Sequence, residues 1–220
     1  MIAGKLLTED LDTECQLITE NVNGEKQHYI QGVFMQAEKK NRNGRVYPRE
    51  LLEREVNRYN TNYIRKNRAF GEMGHPESPS INLDRVSHLV TELYPDGADF
   101  IGKAKILDTP FGKIVKNLLD GGGQLGVSTR GVGSLKPSNG LQLVQPDFYL
   151  ACIDIVADPS APDAFVQGIM EEKEWIYDNG NWTEKDYEKA RNAIREANRE
   201  DVETIALKLF ENYMSKLKVL

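Results

Sequence analysis

Leu125-Gly126-Val127-Ser128-Thr129-Arg130-Gly131-Val132-Gly133-Ser134-Leu135 reads as a strand-like run, and its neighbours share that texture. Leu141 to Val144 and Phe148 to Val156 follow as two more such runs. Upstream, Phe100 to Leu107 alternates Phe100, Gly102, Ala104 and Ile106 against Lys103 and Lys105, the period of a half-buried strand. His28 to Glu38, with Tyr29-Ile30 and Val33-Phe34-Met35, is a strand-like run interrupted by Gly32; Val86 to Leu93 fits a strand or a short helix. Helices are fewer. Pro48 opens one striped with Leu51, Leu52, Val56, Tyr59 and Tyr63. Thr109-Pro110 supplies an N-cap and first-turn proline for another, with Phe111, Ile114, Val115, Leu118 and Leu119 on one face and Gly121-Gly122-Gly123 at its end. Asn41-Arg42-Asn43-Gly44-Arg45 is a turn. The class is α+β with a β-rich middle.

The 220 residues allow one sizeable domain with appendages. Residues 1–27 are polar and acidic and read as a loosely held N-terminal arm. Residues 28–178 form the main domain, and 179–220 a helical C-terminal extension joined through Asn179-Gly180-Asn181. In that extension Thr183-Glu184-Lys185-Asp186 has capping-box spacing. Two amphipathic stripes follow, Tyr187, Ala190, Ile194 and Ala197, then Val202, Ile205, Leu209, Tyr213 and Leu217. A net charge of -6 argues against a nucleic-acid binder, which needs a basic surface, and against adsorption to anionic membranes. No apolar run reaches the ~20 residues of a membrane span. Two cysteines, Cys15 and Cys152, make no disulfide framework, so a cytosolic protein is expected, with Cys152 a small buried hydrophobe.

Ser128 and His75, the latter in Gly71-Glu72-Met73-Gly74-His75-Pro76, supply a nucleophile and a base, the minimum for acyl transfer. Only His28 and His88 compete for the second role, and His88 reads as a core histidine. Asp154, in Cys152-Ile153-Asp154-Ile155-Val156, is an acid within an apolar strand, where an unpaired carboxylate is costly; an imidazole N–H suits it. Asp158, before Pro159 in a segment that reads as a turn, is its rival. Backbone N–H groups at Arg130 and Gly131 are the oxyanion-hole candidates, with Arg130 adding positive charge. A metal site is the second reading: Glu72 and His75 stand three apart, with Glu77 and His88 able to join, but glycines and Pro76 break any helix there and no His-Glu-x-x-His occurs. The prediction is no metal.

Five segments occur in one order: Gly32-Val33-Phe34-Met35-Gln36-Ala37-Glu38, Asn41 through Pro48, Gly71 through Pro76, Gly126 through Ser134, and Pro159-Ser160-Ala161-Pro162-Asp163-Ala164. Together they resemble the prohead core proteases of T-even-type tailed phages, over about residues 30–167. The resemblance implies a serine endopeptidase with a mostly antiparallel β-barrel and surrounding helices, akin to the herpesvirus capsid-maturation proteases. It matches His75 to the base and Ser128 to the nucleophile, and puts Asp154 where the third member is expected. The herpesvirus relatives use a second histidine there, but His88 precedes the serine, the wrong order for that carry-over. No cofactor is implied. The implied substrates are scaffold or core proteins, the major capsid protein and the enzyme itself, inside the immature capsid in the host cytoplasm; the herpesvirus kinship also implies a homo-oligomer.

Cleavage after Glu in an Ile/Leu-x-Glu context is implied as well. Ile194-Arg195-Glu196-Ala197 then offers a self-processing bond, Glu196–Ala197, with Leu7-Thr8-Glu9 and Ile18-Thr19-Glu20 as weaker candidates. Such a preference calls for a basic pocket, for which Arg42, Arg45 and Arg130 are available. A non-enzymatic capsid or tail-tube-like structural protein is the competing class.

Overall fold

The computed structural model describes residues 2–10, 16–22, 25–157, 174–178 and 181–184. Its first five-stranded sheet is built around β8 (Gly126–Gly133), with β11 (Tyr149–Val156) on one edge and β1 (Ile2–Asp10) on the other. Beyond β1 lie β12 (Glu174–Asp178) and β13 (Asn181–Glu184). The second runs β2 (Gln16–Val22), β3 (Glu25–Gln36), β7 (Asp99–Ile106), β6 (Val86–Asp96), β5 (Phe70–Glu72). A small third sheet joins β4 (Arg45–Val46), β10 (Leu141–Val144) and β9 (Leu135–Ser138). Helix α1 (Arg49–Asn62) buries Leu51, Leu52, Val56 and Tyr59 in the core. Helix α2 (Pro110–Asp120) starts as the sequence predicts, with Thr109 Oγ1 accepting from Gly112 N at 3.1 Å. Only part of its stripe is inward: Val115 is buried, while Ile114 and Leu118 stay 43% and 45% exposed.

Close packing explains the glycine content of the strands. A Cβ on Gly102 would sit 2.1 Å from the Phe34 ring, and one on Gly131 would sit 2.4 Å from the Phe148 ring. Phe34 and Phe148 therefore fill space that a side chain on either strand would take. Gly32 does not interrupt β3 but pairs with Gly102, and 86–93 resolves as strand because it pairs with both β5 and β7.

Three expectations need correction. The described part of residues 1–27 is not a loose arm: β1 lies between β8 and β12, and β2 pairs along β3. Leu6 and Leu7 are both 1% exposed, so β1 is covered on both faces and shows no alternation in sequence. The extension does not begin as helix, since Asn181, Thr183 and Glu184 lie in β13, paired with β12; residues 185–220, with both stripes, lie outside the described residues. No closed barrel is found among the described residues. The edges of the two large sheets adjoin where Met73 bridges Ile155 and Gly74 N donates to Ile155 O at 2.7 Å. The opposite ends, β2 and β13, are not paired with each other.

Leu7→Ala is expected to cost about 2–5 kcal/mol in urea unfolding, the range for a leucine truncated in a packed core. A loose arm would give a change within about 0.5 kcal/mol.

Candidate active site

The sheet junction brings the sequence-selected residues together. Ser128 on β8 and Asp154 on β11 are direct cross-strand partners. Their side chains therefore share a face of the sheet, as do those of Arg130 and Cys152 two pairs along. His75 follows β5, just past the junction bridge that fixes Met73 and Gly74 against β11. Its Nε2 lies 2.6 Å from Ser128 Oγ and its Nδ1 2.9 Å from Asp154 Oδ2. A carboxylate only accepts, so Nδ1 carries the proton and Nε2 is left to accept from the serine hydroxyl. Ser128 and Asp154 are fully buried, while the His75 side chain keeps 13% exposure.

Asp154 is heavily coordinated. Oδ1 accepts from Glu72 N at 3.0 Å and from Arg130 Nη2 at 3.2 Å. Oδ2, besides facing His75, lies 2.9 Å from Arg130 Nε. Burial opposes its charge, but the Arg130 guanidinium and the His75 hydrogen bond outweigh burial and hold the carboxyl at about 2. Asp154 is thus an anion throughout the neutral range. Arg130 stays a cation despite burial, raised by Cys152, Asp154 and Glu72 around it. Burial pushes the Cys152 thiol well above its usual range, consistent with the inert role expected of it.

The oxyanion candidates both lie on β8. The Arg130 side chain is wholly buried and committed to Asp154, Glu72 and the carbonyls of Ser78 and Ser80. At Arg130 and Gly131 β8 is paired with β1 on one edge and β11 on the other, so the backbone there lies within sheet ladders. Glu72, weighed as a metal ligand beside His75, has its Oε1 taken by Arg130 Nη2 at 3.1 Å and Asn82 N at 2.9 Å. Arg45, offered for a basic pocket, is buried and donates to Thr8 O at 3.1 Å. His88 stands apart from the serine, accepting from or donating to Ser87 Oγ at 2.9 Å and donating from Nε2 to Ile153 O at 3.0 Å. Asp158, the Pro159–Ala164 segment and Glu196–Ala197 lie outside the described residues.

Residues 4–174 match the family model described as prohead core protein serine protease. The chain belongs to that family. The prohead core protein protease of Enterobacteria phage T4 is 37% identical over 143 residues, 63% of this chain and 67% of that protein. The solved bacteriophage T4 capsid assembly protease, gp21, superposes with a TM-score of 0.67 at 30% identity, covering 70% of this chain and 98% of that one. The protein is accordingly a phage prohead serine protease, and its mixed, sheet-rich architecture is a capsid-protease fold. Within the prohead protease, Glu72 and Arg130 were singled out from sequence for other reasons, and their contacts with Asp154 and with each other were missed. The available signal was Arg130 itself, the one charge in an otherwise uncharged strand.

His88 yields a pH test. Burial lowers its pKa from 6.5 to about 4. The unfolded chain therefore takes up a proton that the folded chain refuses as pH falls from 6.5 to 4, and stability drops across that window. Its share is about 3 kcal/mol. Urea unfolding of His88→Gln from pH 7 to 4 should show a shallower decline than wild type.

Proposed function

We propose that this protease matures the phage prohead through Ser128 as nucleophile, His75 as general base and acid, and Asp154 as the group that orients and stabilises the imidazole. The observation that carries the assignment is the continuous hydrogen-bonded line from Ser128 Oγ through His75 to Asp154. His75 Nε2 takes the hydroxyl proton as Ser128 attacks the scissile carbonyl carbon. The buried Asp154 anion stabilises the imidazolium that results. His75 then protonates the leaving amine, the C–N bond breaks, and water repeats the sequence on the acyl-enzyme.

The names of the T4 relatives, a prohead core protein protease and a capsid assembly protease, support scaffold or core proteins and capsid protein as substrates, met inside the prohead within the host cell. The full burial of Ser128 supports a chain held silent before assembly. Self-cleavage after Glu in Ile/Leu-x-Glu contexts, with Glu196–Ala197 as the bond, completes the reading. A cut there lies beyond β13 and leaves every described strand in place.

Co-expression with the scaffold and capsid proteins, followed by intact mass and terminal sequencing, tests this. Wild type should yield a new N-terminus at Ala197 and cleaved scaffold, and Ser128→Ala neither. Truncation that persists in Ser128→Ala would overturn the nucleophile. Asp154→Asn should lose roughly 10³–10⁴ in kcat through the wrong imidazole tautomer.

A further inference from the structure

The Arg130 guanidinium contacts parts of the fold that carry two members of the proposed triad, and it springs from the strand that carries the third. It leaves β8 two residues after Ser128. Through Nε and Nη2 it reaches both oxygens of Asp154 on β11, at 2.9 and 3.2 Å. Through Nη1 it donates to the carbonyls of Ser78 and Ser80, in the segment that follows His75. Nη2 also bonds Glu72 Oε1, at the end of the strand leading into His75. Glu72 in turn fixes that segment from its other side by accepting from Asn82 N and pairing with Arg85 Nε at 3.5 Å, while Arg85 Nη2 holds Met73 O at 3.2 Å.

We infer that Arg130 is a positioning residue, whose fork, braced by Glu72, holds Asp154 and the His75 segment in register with Ser128. The inference rests on the triad proposed above. A planar group with five donors in fixed directions can bridge two carboxylates and two carbonyls at once; an ammonium on a flexible stem cannot. Removing any one partner from this dry cluster strands a charge, so the four elements are constrained together.

The arrangement also sets the charge felt by the His75–Asp154 pair. Arg130 from β8 and Cys152 from β11 face Asp154 directly, while Glu72 from β5 meets it through its backbone N–H and sets its own carboxylate on the far side of Arg130. His88 on β6 and Tyr59 on α1 lie close enough to sense its charge, and Arg85 acts through Glu72. Loss of the Glu72 negative charge therefore makes the pair easier to deprotonate, and the acidic limb of its pH profile moves down.

The test is steady-state kinetics of a peptide substrate against pH, with melting curves, for wild type, Arg130→Lys, Glu72→Gln and Ser128→Ala. Arg130→Lys keeps the charge but loses the fork. It should lower kcat by roughly tenfold to a hundredfold, with KM within about twofold and the acidic limb unmoved. Glu72→Gln, nearly isosteric, should fold and shift the acidic limb of kcat/KM down by about 0.5–1 pH unit. A lower melting midpoint for Arg130→Lys with kcat unchanged would assign Arg130 to stability alone and overturn the inference. An unmoved limb in Glu72→Gln would do the same, and decides the matter if Arg130→Lys does not fold. Activity in Ser128→Ala would instead sink the triad itself.

Discussion

A carboxylate with no solvent exposure must be neutralised from within the protein. Asp154 meets that requirement with one backbone N–H, one imidazole and two nitrogens of a buried guanidinium. The constraint propagates outward. The guanidinium needs a second anion, which Glu72 supplies, and Glu72 must then sit at the end of β5. Fixing β5 against β11 places the turn that carries His75. The ion cluster and the sheet junction are therefore two descriptions of one arrangement.

The cluster adds little net stability, because desolvating two carboxylates and a guanidinium offsets their attraction. Its effect is on geometry and protonation. Burial alone would raise Asp154 toward the neutral acid, which could not hold His75 in the required tautomer or stabilise imidazolium. Arg130 reverses that tendency. Asp154, Arg130 and Glu72 are all fully buried, which keeps the local dielectric low enough for each charge to matter.

What the sequence disclosed depended on whether a residue's partners were local. Thr109-Pro110 and Gly121 mark α2 through contacts within a few residues, and both ends are legible. Asp154 was legible because a charge in an apolar strand demands a partner. The same logic applies to Arg130, and pairing the two would have followed had the β8–β11 register been known. That register includes a bulge between Leu150 and Cys152, which no local pattern announces. β1 was missed for a related reason: a strand covered on both faces lacks alternation, and its acidic neighbours gave it the texture of a tail. Sheet closure is the least local property of all, and among the described residues the strands form separate sheets rather than the expected closed barrel.

The central claim is that Ser128 and His75 act as one chemical unit. Single-turnover cleavage of scaffold protein by Ser128→Ala, His75→Ala and the double variant measures this directly. A unit predicts that each single variant loses about as much rate as the double, because removing either member abolishes the same step. Losses that multiply in the double variant would show two independent contributions and contradict the account.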